Sequence, residues 1–410
     1  MNIPERIGSG GGAEPRPKLS IVNRGKARLD GDRLALSLGQ AVGGASDRHW
    51  ADRVRAWAQP RWDGLVEGGL ALLFQLLFGA RSTPFETRRV LDDPGDANDP
   101  DYSENRAAEV AHARHAAEEQ ARLKTLDSAS QGAYASLKAA LGEAPLAKRA
   151  LQALLLDGRL TGGPAAGDGG ALLAQLDRLR QQPLLPGLER KALLNEVVIE
   201  AENPVRVNQH QWRTCGAATA QILLLRENPA EYVRVVAGLA APEGRVTLLG
   251  GQSVRREADW DTTADGGRTA ASRLFQATIM ELAGPRVGAW DLANYDARRD
   301  LHRLGPLPVF VGLPGGGLAT ALQQLTGKPF QNHSFRAWGR DALWAAVKQA
   351  LAEGRGPVPT ALAWGEGGHF VQIDRIADGT VFYTNPWGCR EAMDEAEFQA
   401  HALQVQIQRA

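Results

Sequence analysis

Cysteine is almost missing from this chain. Two residues, Cys215 and Cys389, stand in 410 positions, which excludes a fold stapled by a disulfide framework. Long apolar runs are missing too: the longest, LALLFQLLF at 70–78, is far short of the ~20 residues a membrane span needs, and its plain reading is a buried helix. The opening MNIPERIGSGGGAEPRPK carries no apolar stretch of the kind a Sec-type signal peptide requires, so cytoplasmic synthesis is expected, with any export left to a dedicated secretion machine. Neither sign of charge dominates, since 47 Lys and Arg balance 47 Asp and Glu. That balance argues against a nucleic-acid footprint and against a polybasic membrane surface. What remains is 43% hydrophobic and 23% charged, the make-up of a globular chain, at a length that favours two domains over one. Arginine supplies 39 of the 47 cations, a bias in keeping with GC-rich bacterial coding.

Three zones follow from the pattern. Residues 1–45, rich in Gly, Pro and Arg, are expected to form a flexible leader. Residues 46–201 are expected to form a helical domain with pro-, targeting or regulatory character. Its predicted helices are 63–78, 104–126, 132–141, 146–155 and 171–180, interrupted by an acidic loop at 92–105 and a glycine-rich stretch at 157–170. From 202 to 410 helices alternate with short β-like runs. Helices are predicted at 215–227, ending before Asn228-Pro229, and at 230–240, 269–283 and 341–353. Strands are predicted at 245–249, 307–313, 358–364, 369–376 and 380–384. A turn is expected at 314–317 and a hairpin turn at Ala377-Asp378-Gly379. Helices first and an antiparallel sheet last indicate the α+β class.

The chemistry concentrates in the last zone. Cys215, in NQHQWRTCGAAT, sits where loop becomes helix. Unpaired N–H groups and the positive helix end there are expected to lower the thiol pKa. Gly216, Ala217 and Ala218 leave the approach uncrowded, and Gln209, six residues earlier, has a side-chain N–H to offer an oxyanion. His369 opens a predicted strand after a glycine-rich loop that includes Gly368. Sixteen residues later, past the hairpin turn, comes Asn385-Pro386-Trp387-Gly388. A tight hairpin brings Asn385 beside the start of the His369 strand. Its side-chain oxygen then accepts from one ring nitrogen and leaves the other for the thiol, with Trp387 as cover.

With these elements in order, residues 205–395 resemble the papain-like cysteine peptidases. Gln209 with Cys215, Gly368-His369 and Asn385-Pro386-Trp387-Gly388 match that family's Gln…Cys, Gly-His and Asn-Ser-Trp-Gly elements. Two departures stand out: Gly216 replaces the aromatic residue that follows the family's nucleophile, and Pro386 replaces its Ser. The span of 154 residues from Cys215 to His369 slightly exceeds the family's ~130–150. The resemblance implies a helical lobe carrying Cys215 against an antiparallel sheet lobe carrying His369 and Asn385. It implies Cys215 as nucleophile, His369 as base, Asn385 as its orienter and Gln209 in the oxyanion site, with Trp387 and Gly368 bordering the substrate and no cofactor.

The expected reaction is acyl transfer through a thioester, by default hydrolysis of a protein or peptide substrate. Two alternatives stay open: a glutamine deamidase or transglutaminase-like acyl transferase, and a silent peptide-binding protein. By fold-level analogy the architecture suits a bacterial effector or toxin accompanied by an immunity or chaperone protein. Other features read more plainly. Cys389 is a packed thiol, and His210 and His333 are weaker base candidates. Gly315-Gly316-Gly317 lacks the Lys-Ser/Thr of a phosphate loop. His112 and His115 lack a metal-ligand set. Asp374 is mid-strand, and Asp378 makes the turn.

Overall fold

The computed structural model describes residues 87–90, 104–257, 260–284, 286–287, 290–291, 295–298, 300–304, 307–309, 312–364 and 367–409. The expected leader at 1–45, the expected helix at 63–78 and the acidic loop up to residue 103 lie outside the described residues. The helices labelled here are α1 (Glu104–Arg114), α2 (Ala116–Leu123), α3 (Ser128–Ala140), α4 (Pro145–Leu156), α5 (Leu172–Gln181), α6 (Arg190–Glu202), α7 (Cys215–Glu227), α8 (Pro229–Ala240), α9 (Ala270–Ala283), α10 (Gly315–Thr326), α11 (Arg340–Ala352) and α12 (Glu395–His401). The strands of the main sheet are β1 (Arg88–Val90), β2 (Phe330–Ser334), β3 (Val358–Trp364), β4 (Gly367–Ala377), β5 (Thr380–Asn385), β6 (Cys389–Asp394) and β7 (Ala402–Gln408).

Local chemistry starts several of these helices. Asp127 accepts from the Ser130 N–H (2.9 Å) ahead of α3, and Thr269 from the Ser272 N–H (2.9 Å) ahead of α9. Asn228 accepts from the Glu231 N–H (3.0 Å) and is followed by Pro229 at the first position of α8; the same Asn-Pro pair stops α7. Tertiary packing supplies most of the rest. One continuous cluster of buried side chains runs from Tyr134 in α3 to Leu403 in β7. Leu193, Leu194, Val197, Val198 and Ala201 of α6 belong to it together with most of α7. Helices on both sides of residue 202, the expected domain boundary, therefore share one core.

The seven strands form one antiparallel sheet in the order β1-β6-β5-β4-β3-β7-β2. Helices and an antiparallel sheet in one chain make it α+β. The period of two divides the sheet's side chains between its faces. Ala361, Ala363 and Phe370 turn to the helical cluster that contains α7. Leu362, Val371, Ile373 and Tyr383 turn to a second cluster with Leu343, Trp344 and Val347 of α11 and Phe398 of α12. The turn between β4 and β5 holds Asp378 (φ 49°) and Gly379 (φ 67°), two left-handed residues in a row, as a two-residue hairpin requires.

Several expectations need correction. The helix expected at 104–126 is two helices, because His115 (φ −98°, ψ 13°) leaves helical geometry between α1 and α2. The strand expected at 245–249 spans Arg245–Thr247. The strand expected at 307–313 is described only over Leu307–Val309. Residues 315–317, expected as a turn and a plain helix entry, form the first turn of α10. At Gly317 a Cβ would lie 2.2 Å from the Ala283 carbonyl oxygen, so a glycine lets α10 start against the end of α9. Strands β2, β6 and β7 and helices α6 and α12 had no separate prediction. In β7, ALQVQIQ, the buried Val405 and Ile407 alternate with Gln, a signal that was there to be used.

Candidate active site

α7 carries Cys215 at its first residue, and its burial is nearly complete from Cys215 to Leu225. Both of its ends are tied to the sheet. At the far end Arg226 pairs with Asp374 and donates to Thr384 Oγ1 (2.6 Å), whose hydroxyl donates in turn to Asp374 Oδ2 (2.8 Å). Asp374 lies where the β4–β5 register shifts between Ile373 and Arg375, which gives this mid-strand carboxylate its partner on the helix. At the near end Thr219 Oγ1 donates to the Phe370 carbonyl (3.3 Å), so the first turn of α7 lies along the residue that follows His369.

A buried polar chain holds the same turn from behind. Thr214 Oγ1 donates to Gln276 Oε1 (2.7 Å) and does not cap the helix. Gln276 donates to Gln221 Oε1 (3.0 Å), and the two hydrogens of Gln221 Nε2 are shared among Tyr232 Oη (3.0 Å), Ser272 Oγ (3.0 Å) and Glu200 Oε2 (3.2 Å). Glu200 also accepts from Tyr232, from Thr269 Oγ1 (2.7 Å) and from Ser272 Oγ (2.9 Å). A buried carboxylate with this many donors is a satisfied one.

His369, the candidate base, sits on β4. Gln372 pairs with Thr384 in the β4–β5 register, and continuing it by three residues brings His369 level with Trp387. His369 Nε2 is 2.9 Å from Asn385 Oδ1; since that oxygen only accepts, Nε2 carries the proton and Nδ1 keeps its lone pair. Asn385 is fully buried and His369 is 5% exposed. Trp387 stacks on the imidazole (4.4 Å, 22°), and Trp364 meets it edge-on (5.0 Å) and Trp387 likewise (5.4 Å). Behind the amide, Asn385 Nδ2 donates to Glu391 Oε2 (3.0 Å).

The electrostatics differ from the expected thiolate. Burial pushes the Cys215 thiol up, against the pull of the N–H groups of Phe370, Gly216 and Cys215 itself, and the nearby Asp300 carboxyl adds to the rise. Asp300 is held by Tyr295 Oη (2.7 Å) and by the Arg213 N–H (2.7 Å). Burial likewise brings His369 down to about 4, although the bond to Asn385 pulls the other way. The helix end does act on the sulfur, but loss of solvent outweighs it. Both groups are neutral at rest. No hydrogen bond joins the thiol to the ring among the described residues; a nucleophile and base often close to bonding distance only with substrate bound.

Gln209 lies at the seam between the Cys215 loop and the Asn385 loop. Its backbone N–H donates to the Pro386 carbonyl (2.7 Å), and the neighbouring Asn208 bridges to Trp387. One hydrogen of its side-chain amide goes to the Trp212 carbonyl (2.6 Å), which leaves the second for another acceptor. Gly368 is exposed at the start of β4. The departure at Gly216 has a physical reason: a Cβ there would meet Leu313 Cβ at 3.1 Å and the Phe370 ring at 3.4 Å. Those two side chains occupy the space a larger residue would need.

The other candidates stand apart from this cluster. His210 is exposed, with φ 52°. His333 lies on β2, three strands from β4, edge-on to Trp338 (4.4 Å). His112 faces Glu119 (3.6 Å) and His115 faces Glu118 (2.9 Å). Cys389 is a free thiol that burial, followed by the Glu391 charge, pushes up to about 12. Sequence reasoning missed Trp364, Asp300 and Glu391. Trp364 could have been noticed as the aromatic residue just before the glycine loop, whereas nothing local marks the other two. Among the described residues no group of three or more His, Cys, Asp or Glu is placed to hold a metal ion, and no helix is long and apolar enough to cross a membrane. No protein-family model matches the chain, and no curated protein is similar to it by sequence.

Proposed function

We propose that this chain is a papain-like cysteine hydrolase acting on peptide bonds, with Cys215 as nucleophile, His369 as base and Asn385 as the residue that orients the base. One observation carries the reading: His369 Nε2 donates to Asn385 Oδ1 under the cover of Trp387, so Nδ1 retains its lone pair, and the backbone of the next residue, Phe370, meets the start of the helix that bears Cys215.

The neutral resting site sets the order of events. As Cys215 Sγ forms its bond to the substrate carbonyl carbon, its proton passes to His369 Nδ1 and the carbonyl π pair moves onto oxygen. The Cys215 backbone N–H and the second amide hydrogen of Gln209 are the donors available to that oxygen. When the oxyanion collapses, the C–N bond breaks and His369 gives its proton to the leaving amine, which leaves a thioester on Cys215. His369 then takes a proton from water as the water oxygen bonds the thioester carbon. The C–S bond breaks, the acid departs and Sγ regains its proton. Asn385 keeps the imidazolium oriented throughout, and Trp387 and Trp364 keep water from the Nε2 bond.

The test compares wild type with Cys215→Ala on a denatured proteome, scoring new peptide termini and +1 Da changes at Gln and Asn by mass spectrometry. New termini that require Cys215 are the expected result. Mass shifts without termini would transfer the site to deamidation. Neither signal, together with iodoacetamide labelling of Cys215 no faster than of Cys389 across neutral and mildly alkaline pH, would reject an activated nucleophile.

A further inference from the structure

We infer that Glu391 is a positioning residue that fixes which way the Asn385 amide faces, and through it which nitrogen of His369 carries the proton. The inference rests on the cysteine-hydrolase reading for its consequence in catalysis, but its structural core stands on hydrogen bonding alone.

An asparagine amide has two nearly isosteric orientations. In one, Oδ1 faces His369 and accepts the Nε2 proton. In the other, the NH2 group faces the ring, can only donate, and drives the imidazole to the tautomer protonated on Nδ1. That tautomer has no lone pair on the side where the thiol proton must go, and a wrong tautomer disables a base even when its geometry is intact. The ring cannot choose the amide's orientation, because each orientation suits one tautomer. A third group must break the tie. Glu391 does so because a carboxylate accepts and does not donate: with its Oε2 3.0 Å from Asn385 Nδ2, the NH2 end is held away from His369. Its charge also polarises the amide, making Oδ1 the better acceptor.

The fold delivers Glu391 to this place by register. Asn385 pairs with Cys389 and Tyr383 with Glu391 across β5 and β6, so the period of two puts all four on one face of the sheet. Glu391 is 7% exposed. The groups around it are Tyr383 and Cys389 on that face, Arg89 opposite it on β1, and Arg226, Asp374, Arg375 and Arg390 along the shallow cavity it borders. Arg226 is committed to Asp374 and Thr384. On the His369 side the ring neighbours are Trp364 and Trp387, and the backbone of the following Phe370 meets Cys215.

The experiment reads the tautomer directly. Histidine labelled with 15N in the full chain gives two-bond 1H–15N correlations that distinguish the two neutral forms, with His369 assigned by its disappearance in His369→Gln. Wild type is expected to show the Nε2-protonated form. In Glu391→Leu the Nδ1-protonated form should appear, with kcat lower by roughly tenfold, the bias that one hydrogen bond to a charged group supplies, and KM within twofold. Glu391→Gln can still accept from Asn385 but can also flip, so it should fall between the two in both readouts. If Glu391→Leu does not fold, Glu391→Gln decides by the same spectrum. An unchanged tautomer in a folded Glu391 variant overturns the inference. A tautomer that shifts in a protein without Cys215-dependent turnover would uphold the role of Glu391 and reject the hydrolase reading instead.

Discussion

Removing Trp387 should let His369 take up a proton that the native site refuses. Trp387 covers one face of the imidazole at 4.4 Å, and burial brings the ring from the ordinary 6.5 down to about 4. At 1.36 kcal/mol per pH unit, that difference sets about 3 kcal/mol against the imidazolium. Trp387→Ala opens that face to water, so the acid limb of kcat/KM should rise from near pH 4 by roughly 1–2 units. The same linkage acts on stability. Between pH 6.5 and 4 the unfolded chain binds a proton at His369 that the folded chain does not, so wild type loses stability as pH falls through that window, by up to about 3 kcal/mol. In Trp387→Ala that loss should be smaller, even though the variant begins less stable at pH 7 for lack of the indole. Turnover against pH, iodoacetamide alkylation of Cys215 against pH, and urea unfolding at pH 7 and 4 measure all three. Alkylation of wild type that stays fast down to pH 5 would refute the reasoning, because it would show a thiolate–imidazolium pair at rest. An acid limb that does not move would refute the role given to Trp387.

Two further outcomes follow from burial and packing. Glu196 on α6 is pushed up to about 7, first by burial and then by Glu200 one turn away. The folded state therefore holds its proton where the unfolded state has lost it, and stability falls as pH rises from 4.5 to 7. Glu196→Gln should add about 1–3 kcal/mol at pH 8, allowing for partial exposure, and nothing at pH 4; equal shifts in Tm at both pH values would contradict this. Gly216→Ala should cost about 1–3 kcal/mol by crowding Leu313 and Phe370. The same change at an open helical site would gain ~1 kcal/mol, so a higher urea midpoint would show that the contact yields freely.

Several parts of the molecule were legible because their causes are local. The span of α7 follows from an apolar run that begins at Cys215 and ends at Asn228-Pro229. The β4–β5 hairpin follows from alternation around Asp378-Gly379. Drawing that hairpin brings Asn385 near the start of the His369 strand, but the register shift between Ile373 and Arg375 is what sets the two side chains on one face, 2.9 Å apart. The break at His115 was not legible: the residues on both sides favour helix, and packing of α1 and α2 against α4 decides where the chain bends. β1 was not legible either, because three residues gain strand geometry only by pairing with β6, some three hundred positions later.

The sequence by itself determined the identity and order of the groups proposed to react, since residue types, a loop-to-helix junction and a two-residue turn are written in neighbouring positions. Tertiary structure alone decided their charge state and their support. Whether Cys215 and His369 rest as ions depends on how much water the folded chain excludes from them, a sum over side chains from distant segments. The Asp374 that pins α7 and the Glu391 that orients Asn385 are ordinary carboxylates in the sequence. Their roles come from sheet register and helix docking, which bring their partners into reach.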